Sequence, residues 1–106
     1  AIVLAGGTAR EVREYPGWTP DPESPLLKLG MEVYRDNYHR EPVIKSIHAG
    51  LETGVIGSKR SSIKMLSCGP DIRGAHSPME RLNVASTARV WNFVKKLLLG
   101  LGRIKE

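Results

Sequence analysis

Val43-Ile44-Lys45-Ser46-Ile47-His48 and Ile63-Lys64-Met65-Leu66-Ser67-Cys68 are the two runs on which the fold turns. Each is rich in apolar side chains and closed by a turn signal, Ala49-Gly50 after the first and Gly69-Pro70 after the second. That composition predicts two strands, the first of them mostly buried. Between them, Leu51 to about Ile56 reads as a short helix that Gly57-Ser58 ends.

Upstream, Ser24 followed by Pro25 is a helix start, with the hydroxyl as N-cap and the proline where its missing donor does no harm. Leu26, Leu27, Gly30, Val33, Tyr34, Asn37 and Tyr38 recur at three and four and mark one packed face through about His39, with Pro42 as the stop. Downstream, residues 71–82 read as a loop. A last helix is expected from about Asn83 to Ser86 onward, packing Thr87, Val90, Trp91, Val94, Leu97, Leu98 and Leu101 on one side with Lys95 and Lys96 opposite. The order helix, strand, helix, strand, helix predicts a layered α/β unit with a crossover between parallel neighbours. Two strands make a small sheet for that architecture, so the sheet reads as incomplete.

At the other end, residues 1–10 show no helical period and read as a strand followed by a turn. Pro16, Pro20, Pro22 and Pro25 then forbid a regular helix and make an extended connector. A boundary near residue 15 follows, with 1–14 as the remnant of a preceding segment and 15–106 as the main unit. The chain lacks an initiator Met, which fits processing or a longer parent.

The 106 residues are 41% hydrophobic and 25% charged, within the ordinary globular range. No apolar run approaches the ~20 residues that span a bilayer, and the N-terminus lacks the basic flank of a secretory signal. The single cysteine, Cys68, cannot form an intrachain disulfide and reads as a buried, inert thiol of a reducing, cytoplasmic compartment. The net charge of +5 is spread among acidic residues, with only short pairs such as Lys59-Arg60 and Lys95-Lys96. This describes a solvated surface rather than a nucleic-acid stripe.

Chemistry is expected where the strands end, because open α/β sheets bind ligands at the strand C-terminal ends. There stand His48, Gly50 and Glu52 in one loop, and His76 and Glu80 in the other. His76 can ligate a metal through a neutral ring nitrogen, and it can equally be a plain turn histidine between Gly74 and Pro78. Glu80 can orient His76 or answer the dipole of the following helix. Glu52 can face a ligand or cap exposed backbone donors. The position of His39 at a helix end is accounted for by the dipole alone.

Taken jointly, Tyr15-Pro16-Gly17-Trp18, Ile47-His48-Ala49-Gly50-Leu51-Glu52 and Gly69-Pro70 through Gly74-Ala75-His76-Ser77-Pro78, continued by Glu80, Arg81, Asn83 and Val84, resemble the aminoacyl-histidine (Xaa-His, cytosolic nonspecific) dipeptidases, metallopeptidases of a dinuclear-zinc superfamily. The resemblance covers roughly residues 13 to 100. It implies the C-terminal half of a zinc-peptidase catalytic domain, with His76 as a zinc ligand, His48, Gly50 and Glu52 facing a dipeptide, and Glu80 behind the ligand. Thr53 stands where that family commonly has cysteine, and Asp71 where it commonly has threonine. The parent would hold two zinc ions. Its other ligands, bridging aspartate and general-base glutamate belong to an N-terminal half that has no counterpart here, so the chain alone is expected to be inactive and to self-associate through its uncovered sheet edge. No nucleic-acid or membrane partner is implied. The rival reading is a small basic α/β interaction module binding nucleic acid or a protein, which needs clustered cations and exposed aromatics.

Overall fold

The computed structural model describes residues 2–10, 15–47 and 49–103. The element order is α1 (Pro25–Tyr38), α2 (Glu52–Lys59), β1 (Ile72–Arg73), β2 (Arg81–Leu82) and α3 (Val84–Leu101). Among the described residues these make a mixed α/β arrangement of three helices and one two-stranded antiparallel ribbon.

Pro25 opens α1 as the sequence predicts. Ser24 takes the N-cap position, but its hydroxyl is buried and makes no cap bond. The helix stops at Tyr38 because His39 adopts a left-handed φ of 53° and donates its N–H to the Arg35 carbonyl at 2.8 Å. The left-handed backbone at His39 thus closes the helix end, where the sequence suggests the dipole. α2 runs through Gly57 and Ser58 to Lys59, past the expected stop, with Ser58 Oγ donating to the Val55 carbonyl at 2.8 Å. α3 begins where Asn83 accepts the Ser86 N–H at 3.0 Å, which supplies one of the free donors of the first turn.

α1 packs against α3, and the core sits between them. Val33 and Phe93 are its buried apolar residues. Tyr34 and Tyr38 stack at 4.4 Å, and Phe93 meets the Tyr34 ring edge-on at 6.2 Å. Asn37 Nδ2 donates to the Arg89 carbonyl at 3.3 Å and ties the two helices near the same level. The buried side of α3 runs through Ser86, Phe93 and Gly100. Trp91 and Leu98, expected inside, are instead exposed, and Lys95 Nζ lies 6.0 Å from the Trp91 ring. Gly100 lets α1 approach on its side, where a Cβ would stand 3.0 Å from Leu29 Cδ1, while Ser86 Oγ accepts the Asp71 N–H at 2.9 Å, and the packed stripe lies away from Trp91.

The two expected strands differ most. Residues 43–47 and 63–68 are extended but join no ladder, and Val43, Ile44 and Ile47 are 74%, 54% and 61% exposed. Strand propensity describes a half-buried pleated surface, and among the described residues neither segment has a paired neighbour, although Leu66 lies against Gly30 of α1 and Met65 against Gly57 of α2. The two segments instead wall a groove of about 530 Å³ floored by Leu27, Tyr34 and Phe93. Parallel pairing with a crossover is thus not what the described residues show; the ribbon lies inside the stretch read as loop and is antiparallel, with Ile72 opposite Leu82 and Arg73 opposite Arg81. Cys68 is exposed rather than buried, although partial desolvation at the groove wall still raises its pKa and disfavours the reactive thiolate. Residues 2–7 form turns closed by Ala5, Gly6 and Gly7 N–H groups, not a strand.

The radius of gyration is 18.0 Å, against about 13 Å for a compact domain of this length. With so few buried apolar residues, Phe93 should dominate stability. Phe93→Ala is expected to cost about 3–5 kcal/mol, most of what a small domain has, and to abolish a cooperative thermal transition followed by circular dichroism at 222 nm.

Candidate active-site loops

The loop that joins β1 to β2 is held by short bonds among its own residues. Ser77 Oγ donates to the Gly74 carbonyl at 2.6 Å and accepts the Met79 N–H at 3.2 Å. The Ser77 N–H also reaches the Gly74 carbonyl, at 3.1 Å, and the Glu80 N–H donates to the Ser77 carbonyl at 3.0 Å. Gly74 has φ 63°, and a Cβ there would stand a tight 3.1 Å from Ser77 Oγ, so both backbone and space favour glycine.

His76 also has φ 63°, and in a residue with a Cβ such a conformation is uncommon. It is held there by its N–H, which donates to Glu80 Oε2 at 2.7 Å. The Glu80 carboxylate therefore fixes the His76 backbone and leaves the exposed imidazole uncommitted. Backbone strain of this kind gathers at functional sites, where surrounding bonds over-determine it. Nothing in the sequence singled out His76, rather than a neighbouring glycine, for the left-handed position. The serine between histidine and proline was the legible signal, since such hydroxyls close turns.

The other loop is assembled differently. His48 lies outside the described residues. Glu52 is the first residue of α2, is exposed, and caps nothing, because Leu51 is the N-cap and no side chain closes it. Gly50 lies under the Tyr15 ring: a Cβ there would meet Tyr15 Cδ1 at 2.9 Å. One turn on, Gly54 is buried against the Pro16 carbonyl oxygen. The connector 15–18 is thereby seated on the start of α2, and a groove of about 230 Å³ runs between Trp18, Ile47, Ala49 and Leu51. Sequence reasoning missed this seating, although Tyr15-Pro16-Gly17-Trp18 and Gly50 were both singled out.

The groove beside 47–54 contains no residue of 71–82. Among the described residues no three His, Cys, Asp or Glu side chains converge as a metal site. His76 thus offers one nitrogen donor where a closed zinc site needs four ligands.

The chain is 39% identical over 95 residues to a cytosol non-specific dipeptidase of Escherichia coli K12. It is similar to a dipeptidase. That similarity takes in 90% of this chain and 20% of the dipeptidase, so the chain spans about one fifth of its relative's length. A match of that extent in 106 residues includes both loops. No family model matches the chain. Among the described residues no helix is long and apolar enough to cross a membrane.

Proposed function

We propose that this chain is the C-terminal part of the catalytic domain of a cytosolic, zinc-dependent dipeptidase, to which it contributes His76 as one metal ligand and 47–54 as part of the substrate rim. The observation that carries the reading is His76 itself. It is an exposed imidazole pinned in a left-handed backbone conformation by Glu80, in a chain 39% identical to a dipeptidase. In this reading 43–48 and 63–68 enter a zinc-peptidase sheet when the rest of the domain is present. Their exposed apolar side chains and the extended shape of the chain support that. His48, Gly50 and Glu52 then face a dipeptide of the Xaa-His type.

Zinc bound in such an enzyme turns water into a nucleophile near neutral pH and stabilises charge on the scissile carbonyl. The described residues do not complete a site for it, so this chain's part is limited to His76, whose backbone Glu80 holds while Ser77 closes the turn through Gly74 and Met79. The parent would carry two zinc ions, with the remaining ligands outside these 106 residues. The basic-module alternative gains nothing from the exposed Trp91, whose one cationic neighbour is Lys95 on its own helix.

The purified chain, supplied with zinc and a dipeptide such as alanyl-histidine, is expected to release no amino acid above the metal-only control. Turnover that tracks His76 would overturn the reading of an incomplete site.

A further inference from the structure

The ribbon places two arginines in direct register, Arg73 on β1 opposite Arg81 on β2. Residues opposite one another on an antiparallel pair project to the same face with Cβ atoms about 5 Å apart, and like charges in that position repel. A two-residue ribbon has little pairing energy with which to tolerate this. The usual remedy would be a carboxylate between them, but among the described residues neither guanidinium has an ion-pair or hydrogen-bond partner. The two nearest acidic side chains in sequence are engaged elsewhere: Asp71 faces Arg89 at 3.9 Å and Glu80 holds the His76 N–H. α3 starts two residues after β2 with no acidic residue in its first turn, so its positive end adds to the same sign of field.

We propose that Arg73 and Arg81 form a clamp for a peptide carboxylate. The proposal rests on the dipeptidase reading for its substrate class and names a specificity element within it. Arg73 is three residues from His76, so their Cα atoms are at most about 11 Å apart. In a dipeptide the free carboxylate lies a single residue beyond the scissile carbonyl. Two guanidinium forks can take such a carboxylate by paired N–H bonds, which a C-terminal amide cannot replace. The ribbon would thus read the end of the substrate while the loop it carries presents His76, and a bound anion would relieve what repulsion between the exposed arginines solvent leaves unscreened.

The test uses this chain, ¹⁵N-labelled, and follows the arginine Nε–Hε signals and the 72–82 amides during titration with glycylglycine, with glycylglycinamide, and with a C-terminally amidated aspartyl peptide. Glycylglycine should shift both Nε–Hε signals saturably and the amide should not; Arg73→Gln or Arg81→Gln should each weaken the response about tenfold without changing helical content. A response to the aspartyl peptide alone would keep the clamp and assign it to a side-chain carboxylate. Equal shifts with glycylglycine and its amide, no shift with any of the three, or undiminished binding by both Gln variants would overturn it. A parallel zinc titration read at the His76 ring separates the two ideas. Zinc at the His76 ring without a carboxylate response sinks the clamp alone, and a carboxylate response in this chain together with an unchanged zinc content of the His76→Asn variant of a longer dipeptidase polypeptide sinks the metal role alone.

Discussion

Replacing His76 with asparagine in the longer polypeptide is expected to lower kcat/KM for dipeptides by about a thousandfold or more, since a bound metal supplies several kcal/mol of transition-state stabilisation. Asparagine is the informative choice because it tolerates the left-handed region at least as well as histidine does and far better than alanine. The turn from Gly74 to Glu80, with its Ser77 and Glu80 bonds, should therefore persist. What the substitution removes is the imidazole. If His76 were only a turn residue, the variant would retain activity within about threefold, and metal analysis would show an unchanged zinc content. Loss of activity together with a loss of zinc per chain is the expected result. His76→Ala, by contrast, loses ring and conformation together and cannot separate them.

The second large effect concerns assembly. The chain of 11.7 kDa is expected to sediment well above its monomer mass at high concentration. Val43, Ile44 and Ile47 project from a segment whose described backbone groups join no ladder, beside residues 63–68, which join no ladder either. Unpaired strands of apolar composition recruit one another, because each satisfies the other's backbone groups and covers its side chains. Ile44→Lys should break this association by placing a charge in the groove between the segments, where Ile44 already lies against the open space above Leu27 and Leu66. Sedimentation of the unsubstituted chain as a strict monomer at millimolar concentration would contradict this account.

How much of this was legible in the sequence depends on how local each determinant is. α1 was, because Ser24-Pro25 and the spacing of Gly30, Val33, Tyr34 and Tyr38 are short-range signals, and its face packs as read. The start of α3 was legible from Asn83 for the same reason. Its buried face was not, because apolar residues at 90, 91, 94, 97, 98, 99 and 101 surround most of the helix, and the choice among them is made by where α1 can approach. The strands were legible as propensity in 43–48 and 63–68, but pairing requires a neighbour from elsewhere in space. For the opposite reason the ribbon was invisible: two residues on each side carry no periodicity, and only the closure of the loop between them brings Arg73 to Arg81. At the site, residue types at 50, 52, 76 and 80 stood out, while the bond from Glu80 to a backbone N–H instead of a ring is a matter of loop geometry.

The seating of Gly54 on the Pro16 carbonyl has a bearing on how sequence variation in this chain would be read. A single methyl group added there lands on main-chain oxygen, which cannot step aside as a side-chain tip can. The displacement would travel along the connector to Trp18 and from there to the groove walled by Ile47 and Leu51. Two glycines without a functional group, Gly50 and Gly54, thus act as spacers that keep Tyr15-Pro16 and the head of α2 at one fixed separation. Changes at either would resemble damage to a binding loop while touching none of its side chains.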